Sequence, residues 1–330
     1  MSTTPPATEP SVCRILSLDG GGAKGFYTLG VLNEIEAMIA PRRLCDHFDL
    51  IFGTSTGAII AALLALGHTI TDVHRLYRTH VPSVMKCWFP RNKSKALSSL
   101  ATEIFGQKTF DDVLTHVGIV STRWREERPM IFKDDRALAH GRKDTFVPGY
   151  GCTIADAVTA SCSAYPYFEK CVLTTSTESE VELVDGGYCA NNPTLYAIAD
   201  AVTGLKKPLE ELRIVSVGVG VYPQPKHWYS PKYWYGLIGK RFVGFTGIEL
   251  LQKTLNVNTE SMEQLRYILY GNVQAVRMND TYHEPEMATD LMEHDLKKLN
   301  MLFQRGGDSF AQHEAKLRQL LDLPAEGGRP

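Results

Sequence analysis

Apolar residues recur along this chain in two alternating rhythms. Residues 12–18 form a short apolar run, 19–25 are glycine-rich, and Phe26, Leu29, Leu32, Ile35 and Ile39 then recur at helical spacing. The same order repeats at once: 48–52 reads as a strand, 53–57 as a tight turn and 58–66 as a nearly all-apolar helix. A helix apolar on every side is a buried one. Further helix is predicted around 72–80 and 94–105, strands at 118–122 and 129–133 with charged residues between them, and helix at 153–160. A strand over 181–184 runs into Asp185-Gly186-Gly187, helix follows at 193–202, and 213–220 has the character of an interior strand. After Tyr222 the pattern weakens into a loop rich in proline and aromatics, and helices resume near 247–269, 288–303 and 308–321. Strands alternating with helices predict an α/β fold of three layers, a central, mainly parallel sheet between helices. Residues 1–11 read as a flexible lead, 12–200 as the core, and 201–330 as the C-terminal part of the same domain, a helical extension with a regulatory or lipid-entry role.

Composition narrows the classes. The chain has 330 residues, 44% apolar and 22% charged, which excludes a disordered or fibrous protein. A net charge of −2 argues against a dedicated nucleic-acid binder. The seven cysteines include no Cys-x-x-Cys pair, so neither a disulfide framework nor a structural zinc site is expected. Residues 1–11 lack the basic and apolar regions of a secretory signal. The longest uncharged apolar stretch, 57–67, is about half of a bilayer span. A cytoplasmic protein, at most attached to a membrane face, is the expectation.

Three constellations carry chemistry. Gly20 to Gly25 fit G-x-G-x-x-G between a strand and a helix, a pattern shared with dinucleotide-binding turns. The acid such a turn needs at the end of the second strand is missing, and no Gly-Lys-Ser/Thr closes a phosphate loop. What remains is a set of backbone N–H groups converging at a helix N-terminus, a site for negative charge. Gly53-Thr54-Ser55-Thr56-Gly57 is a G-x-S-x-G between a short strand and an apolar helix, the setting of a nucleophile elbow. Asp185-Gly186-Gly187 places a carboxylate at the end of a strand, and Asn191-Asn192-Pro193 follow; Asp-Gly-Gly is also an ordinary turn. Combined, they make Ser55 a nucleophile, the glycine turn an oxyanion hole and Asp185 a base or its orienter.

Two other readings stay open. An α/β-hydrolase esterase needs a histidine after the acid, and His227, His283, His294 and His313 are available, none with a distinctive local motif. A nucleotide-binding module would use residues 20–25.

In this order the motifs resemble the patatin-like phospholipases, whose D-G-G-G-x-R-G loop, G-x-S-x-G and D-G-G/A read here as Asp19 to Gly25, Gly53 to Gly57 and Asp185 to Gly187. Residues 160–168 and 191–193 look like further family segments, and the resemblance spans residues 15–200. It implies a patatin-like fold and metal-free hydrolysis of acyl esters in membrane phospholipids, without a cofactor. It also implies Ser55 as nucleophile, Asp185 as general base, and Gly20, Gly21 and Gly22 as oxyanion donors. Gly25, Gly53, Gly57, Gly186 and Gly187 complete the motifs, and Lys24 stands where arginine is usual, keeping the charge without the planar fork. In layout the chain is similar to bacterial patatin-like effectors of antiphage defence, which a cyclic di- or trinucleotide switches on. A homo-oligomer is left open.

The near-zero net charge conceals an uneven distribution. Residues 73–102 hold six Lys+Arg and 212–248 hold five, with no Asp or Glu in either window. Trp88 and Phe89 lie in the first, and Trp228 and Trp234 in the second. Such basic, aromatic segments suit a membrane surface or the phosphates of a nucleotide, while burial of the aromatics against the sheet is the plainer alternative.

Overall fold

The computed structural model describes residues 12–140, 143–177, 179–222, 242–284, 289 and 291–324. The N-terminal lead and the aromatic stretch around Trp228 and Trp234 fall outside the described residues. The strands are β1 (Cys13–Leu18), β2 (Leu50–Thr54), β3 (His116–Arg123), β4 (Arg128–Lys133), β5 (Cys171–Thr174), β6 (Glu180–Asp185), β7 (Leu212–Val217) and β8 (Gln274–Met278). The helices are α1 (Gly25–Ile39), α2 (Leu44–His47), α3 (Thr56–Ala65), α4 (Ile70–Met85), α5 (Pro90–Phe105), α6 (Ile154–Ser161), α7 (Gly187–Ala190), α8 (Thr194–Ala199), α9 (Phe242–Tyr270) and α10 (Leu296–Leu320).

The eight strands among the described residues join one sheet. The run β3-β2-β1-β7-β8 is parallel throughout, whereas β4 and β6 pair antiparallel with β3, and β5 antiparallel with β6. Central parallel strands are covered on both faces, so they read as continuous apolar runs. Ile15, Leu16, Leu18, Leu50, Ile51 and Phe52 are all shielded from solvent. Leu18 and Ile51 pack with α1 and α3 on one face, and Ile15 and Phe52 with Ala197 and Ile198 of α8 on the other. These two cores make the α/β/α layering that the alternation of elements predicts.

One end of the sheet positions the chemistry. Thr54 of β2 pairs with Val120 of β3, and Asp185 of β6 pairs with the next residue, Ser121. Strand β4 occupies the opposite edge of β3 over residues 118–123. Strands β2 and β6 therefore share one edge of β3 and meet end to end. Asp185 closes an antiparallel strand, not one of the parallel strands that the alternating pattern implies.

Other differences have local causes. The segments read as helices 288–303 and 308–321 are one helix, α10, which continues through Gly306-Gly307. A side chain at Gly306 would collide with the backbone carbonyl of Tyr27, so the glycine lets α10 lie against α1. Strands β5 and β8 were not read from the sequence: β5 alternates half-buried and exposed residues, and β8 carries an arginine in a five-residue run. Among the described residues no helix is long and apolar enough to cross a membrane.

Candidate active site

Ser55 lies between the last residue of β2 and the first of α3, with φ 53° and ψ −121°. That left-handed backbone lifts its side chain off the sheet at the N-terminus of a buried helix. Gly53 and Gly57 flank it because their backbones nearly touch: a Cβ on Gly53 would strike the Gly57 carbonyl, and one on Gly57 the carbonyls of Leu18 and Asp19. The Ser55 N–H donates to Ser161 Oγ at 2.9 Å, and that hydroxyl donates to Val120 O at 2.5 Å, which pins the elbow to β3.

Asp185 is buried at the end of β6. Its Oδ1 accepts the Gly187 N–H at 2.7 Å, and the nearby Ser55 hydroxyl also favours the charged carboxylate. Burial pushes this carboxyl up to about 6, against the downward pull of those two groups. Gly186 donates its N–H to Ser161 O at 3.3 Å, and Gly187 opens α7. The thiol of Cys162 is also buried, close to Ser55, and burial raises it far above the ordinary thiol range.

The glycine loop faces the serine. Gly20 lies against Ser55, and its N–H donates to Asn191 O at 3.0 Å. The N–H groups of Gly21 and Gly22 have no acceptor among the described residues, while that of Ala23 donates to Leu291 O at 3.1 Å. Gly22 to Lys24 form a 3₁₀ turn in which Lys24 is buried, and Gly25 starts α1 against the Thr56 side chain. The loop is anchored from behind. Arg277 of β8 takes both oxygens of buried Asp19 in a bidentate pair and donates to Ser216 Oγ at 2.8 Å. Asn191 Nδ2 donates to Gly20 O at 3.2 Å and to Thr259 Oγ1 of α9 at 2.7 Å, while Asn258 Oδ1 accepts the Asn191 N–H at 2.7 Å. Sequence reasoning passed over Arg277, Asn258 and Thr259 as site residues, because none belongs to a local motif.

A cavity of about 70 Å³ opens at Ser55. Gly22 and Ser55 form its floor, and Ile59, Val84, Leu97 and Phe168 are among its apolar walls. Leu291 and Met292 cover it from the segment that also bonds to Ala23. The arrangement offers a hydroxyl on a buried base, free N–H donors beside it, and an apolar space next to both. That set suits acyl transfer from a lipid ester.

The family model for patatin-like phospholipases matches residues 16–198. The chain belongs to that family. A patatin-like phospholipase is a lipid acyl hydrolase, and this one is similar over nearly its whole length to proteins of the same kind. It is 56% identical to a "cUMP-AMP-activated phospholipase" of Escherichia coli, over 94% of each chain. A "cGAMP-activated phospholipase" of Escherichia coli strain TW11681 is 28% identical over 74% of each, and one of Vibrio cholerae 25% identical over 94% of each. The two other readings of the sequence lose ground in this patatin-like chain. Among the described residues no histidine hydrogen-bonds to Ser55 or Asp185: His313 Nδ1 meets Ser309 O at 2.9 Å and His294 Nδ1 meets Met292 O at 3.4 Å. His227 lies outside the described residues. The Gly20 to Gly25 loop opens on Ser55 and an apolar cavity, not on a polar groove for a dinucleotide.

Proposed function

We propose that the chain hydrolyses acyl esters of membrane phospholipids with a Ser55–Asp185 dyad and is switched on by a cyclic nucleotide. The observation that carries the dyad is the strand register that sets Ser55 beside a buried carboxylate, whose one hydrogen bond among the described residues comes from the Gly187 N–H. With its carboxyl raised to about 6, Asp185 is ionised at neutral pH yet a far better base than an exposed aspartate.

In the first step Asp185 takes the Ser55 proton as Oγ attacks the ester carbonyl. The N–H groups of Gly21 and Gly22 hold the resulting oxyanion, with the N-terminus of α3 adding its dipole. Gly20, whose N–H donates to Asn191 O, shapes the loop and leaves the oxyanion to its two neighbours. The protonated Asp185 returns its proton to the departing alcohol, leaving a lysophospholipid and an acyl-serine. Water then repeats the sequence, with Asp185 again as base, and frees the fatty acid.

Access is proposed to come through α4 and α5. The acid-free window 73–102 is this helix pair, and Val81, Val84, Met85, Leu97 and Leu100 from it line the cavity. At the turn between the helices Trp88 is 85% and Phe89 63% exposed, so these aromatics are not packed against the sheet. Lys86, Arg91 and Lys95 around them are exposed as well. A basic, aromatic tip over an acyl pocket supports docking on anionic lipid. Nucleotide control is supported by the similarity to cUMP-AMP-activated and cGAMP-activated phospholipases.

The test is hydrolysis of phospholipid liposomes by wild type, Ser55→Ala and Asp185→Ala, with and without cUMP-AMP. Each variant is expected to lose about three orders of magnitude or more in rate. Full activity in either would refute the dyad, and equal wild-type rates with and without nucleotides would refute the switch.

A further inference from the structure

A second and larger cavity, about 490 Å³, lies along β4 and beside the start of β6. Its chemistry is the opposite of the first. Arg123, Lys133 and His140 face it, with Phe146, Tyr150 and Tyr196, and the hydroxyls of Thr175, Ser176, Thr177 and Ser179 complete the wall. None of its described lining residues is acidic. Its volume falls within the range of about 300–1,000 Å³ that small-molecule sites occupy. Arg123 has no hydrogen-bond or ion-pair partner among the described residues, although its charge reaches the Tyr150 hydroxyl. Lys133 is held at the floor by fully buried Asp200, 2.6 Å away, which also takes His140 Nε2 at 2.6 Å.

We infer that this cavity binds the activating cyclic dinucleotide, its phosphates on Arg123 and Lys133 and its bases against Phe146, Tyr150 and Tyr196. The inference rests on the proposed nucleotide control and adds where it acts. A planar, anionic ligand needs cations and aromatic faces together, and a site reading bases needs hydroxyl donors and acceptors. The cavity at Ser55 has no cation among its described lining residues.

The position also explains transmission to the catalytic residues. Arg123 pairs with Leu183, two places along β3 from the Ser121–Asp185 pair, a separation of about 7 Å. Ser121 Oγ donates to Val184 O at 2.9 Å and Thr122 Oγ1 to Asp185 O at 3.0 Å, so a shift of β3 moves the strand end that carries the base. On the other wall, Tyr196 stands on α8, and Asp200, which holds Lys133 and His140 from behind, directly follows that helix in the stretch that leaves Asp185.

The experiment uses the full chain, with cUMP-AMP and cGAMP as probes, binding read by calorimetry and activation by liposome hydrolysis. Two variants are compared with wild type: Arg123→Ala removes the unpaired cation, and Thr177→Trp fills the cavity from an exposed turn. Both are expected to keep the wild-type unfolding midpoint without nucleotide, and to raise Kd and the half-activating concentration tenfold or more. Thr177→Trp decides alone if Arg123→Ala does not fold. Wild-type activation that the folded variants retain at the same concentrations would overturn this site and leave the switch intact. A wild type that neither binds nor responds to either nucleotide would overturn the switch, and the site with it.

Discussion

Thr54 and Asp185 stand side by side on one edge of β3, Thr54 opposite Val120 and Asp185 opposite Ser121. Strands arriving from opposite directions thus deliver the residue before the serine and the carboxylate to adjacent places on one ladder. The proposed dyad is positioned by backbone register rather than by a loop, and Ser55 emerges from β2 beside the carboxylate. A one-residue slip of β6 would turn Asp185 to the other face.

The pH dependence follows from the environment of Asp185. Its carboxyl is raised to about 6, chiefly by burial, and the base must be ionised to take the serine proton. We expect kcat/KM to climb tenfold per pH unit below about 6 and to level off above it. A plateau extending down to pH 4.5 in liposome assays would contradict this assignment.

The same shift has a stability consequence of opposite sign. A carboxyl raised in the folded state binds its proton there more tightly than in the unfolded chain. Its contribution is neutral below the unfolded value and increasingly unfavourable as pH rises to about 6. Asp185→Asn, which cannot ionise, should therefore be inactive yet more stable at pH 7, by on the order of 3 kcal/mol. Urea unfolding at pH 4 and pH 7 checks it: the gain over wild type should be present at pH 7 and nearly absent at pH 4.

Backbone strain at the elbow gives a second stability test. Ser55 holds φ 53° and ψ −121°, a region that a side chain makes unfavourable by about 1–3 kcal/mol. Ser55→Ala removes the nucleophile and keeps the strain, whereas Ser55→Gly removes both. The glycine variant should unfold at the higher denaturant concentration; equal midpoints would mean that the elbow is not strained.

How much of this was legible beforehand depends on the range of the interaction. Ser55 and the glycine loop announce themselves because the strand, tight turn and helix around them are consecutive in the chain, with glycines where backbones must pass closely. Asp185 was visible as a carboxylate at a strand end, but its antiparallel approach was not, since one strand's residues do not reveal the direction of its neighbour. Arg277 was invisible. It lies 258 residues from Asp19, on a strand whose short run carries no apolar alternation, and only the sheet brings them together. The single helix α10 was read as two because Gly306-Gly307 looks like an end until the close packing on α1 is seen.

That distant pair has its own prediction. Asp19 is buried and Arg277 largely shielded, and removing one partner of such a pair leaves an uncompensated charge, a loss of about 3–5 kcal/mol. Arg277→Met should destabilise by that amount and loosen the oxyanion loop, lowering kcat more than it raises KM. The double variant Asp19→Asn, Arg277→Met removes both charges and should recover most of the stability. Simple additivity of the two losses in urea unfolding would show that the residues act independently.

The tip between α4 and α5 gives a prediction about the membrane. Trp88 and Phe89 are exposed there, and Lys86, Arg91 and Lys95 surround them. Each basic residue close to an anionic surface contributes about 1 kcal/mol, an attraction that salt screens. Changing Trp88 and Phe89 together to Ala should reduce flotation with phosphatidylglycerol liposomes at any salt concentration. Lys86→Glu with Arg91→Glu should reduce it most at low salt, by about tenfold or more. Turnover of a soluble short-chain ester should change little in either variant, because neither alters a residue that lines the cavity at Ser55. Unchanged flotation in both would remove this tip as the docking surface, and loss of the soluble activity would assign its effect to the acyl pocket instead.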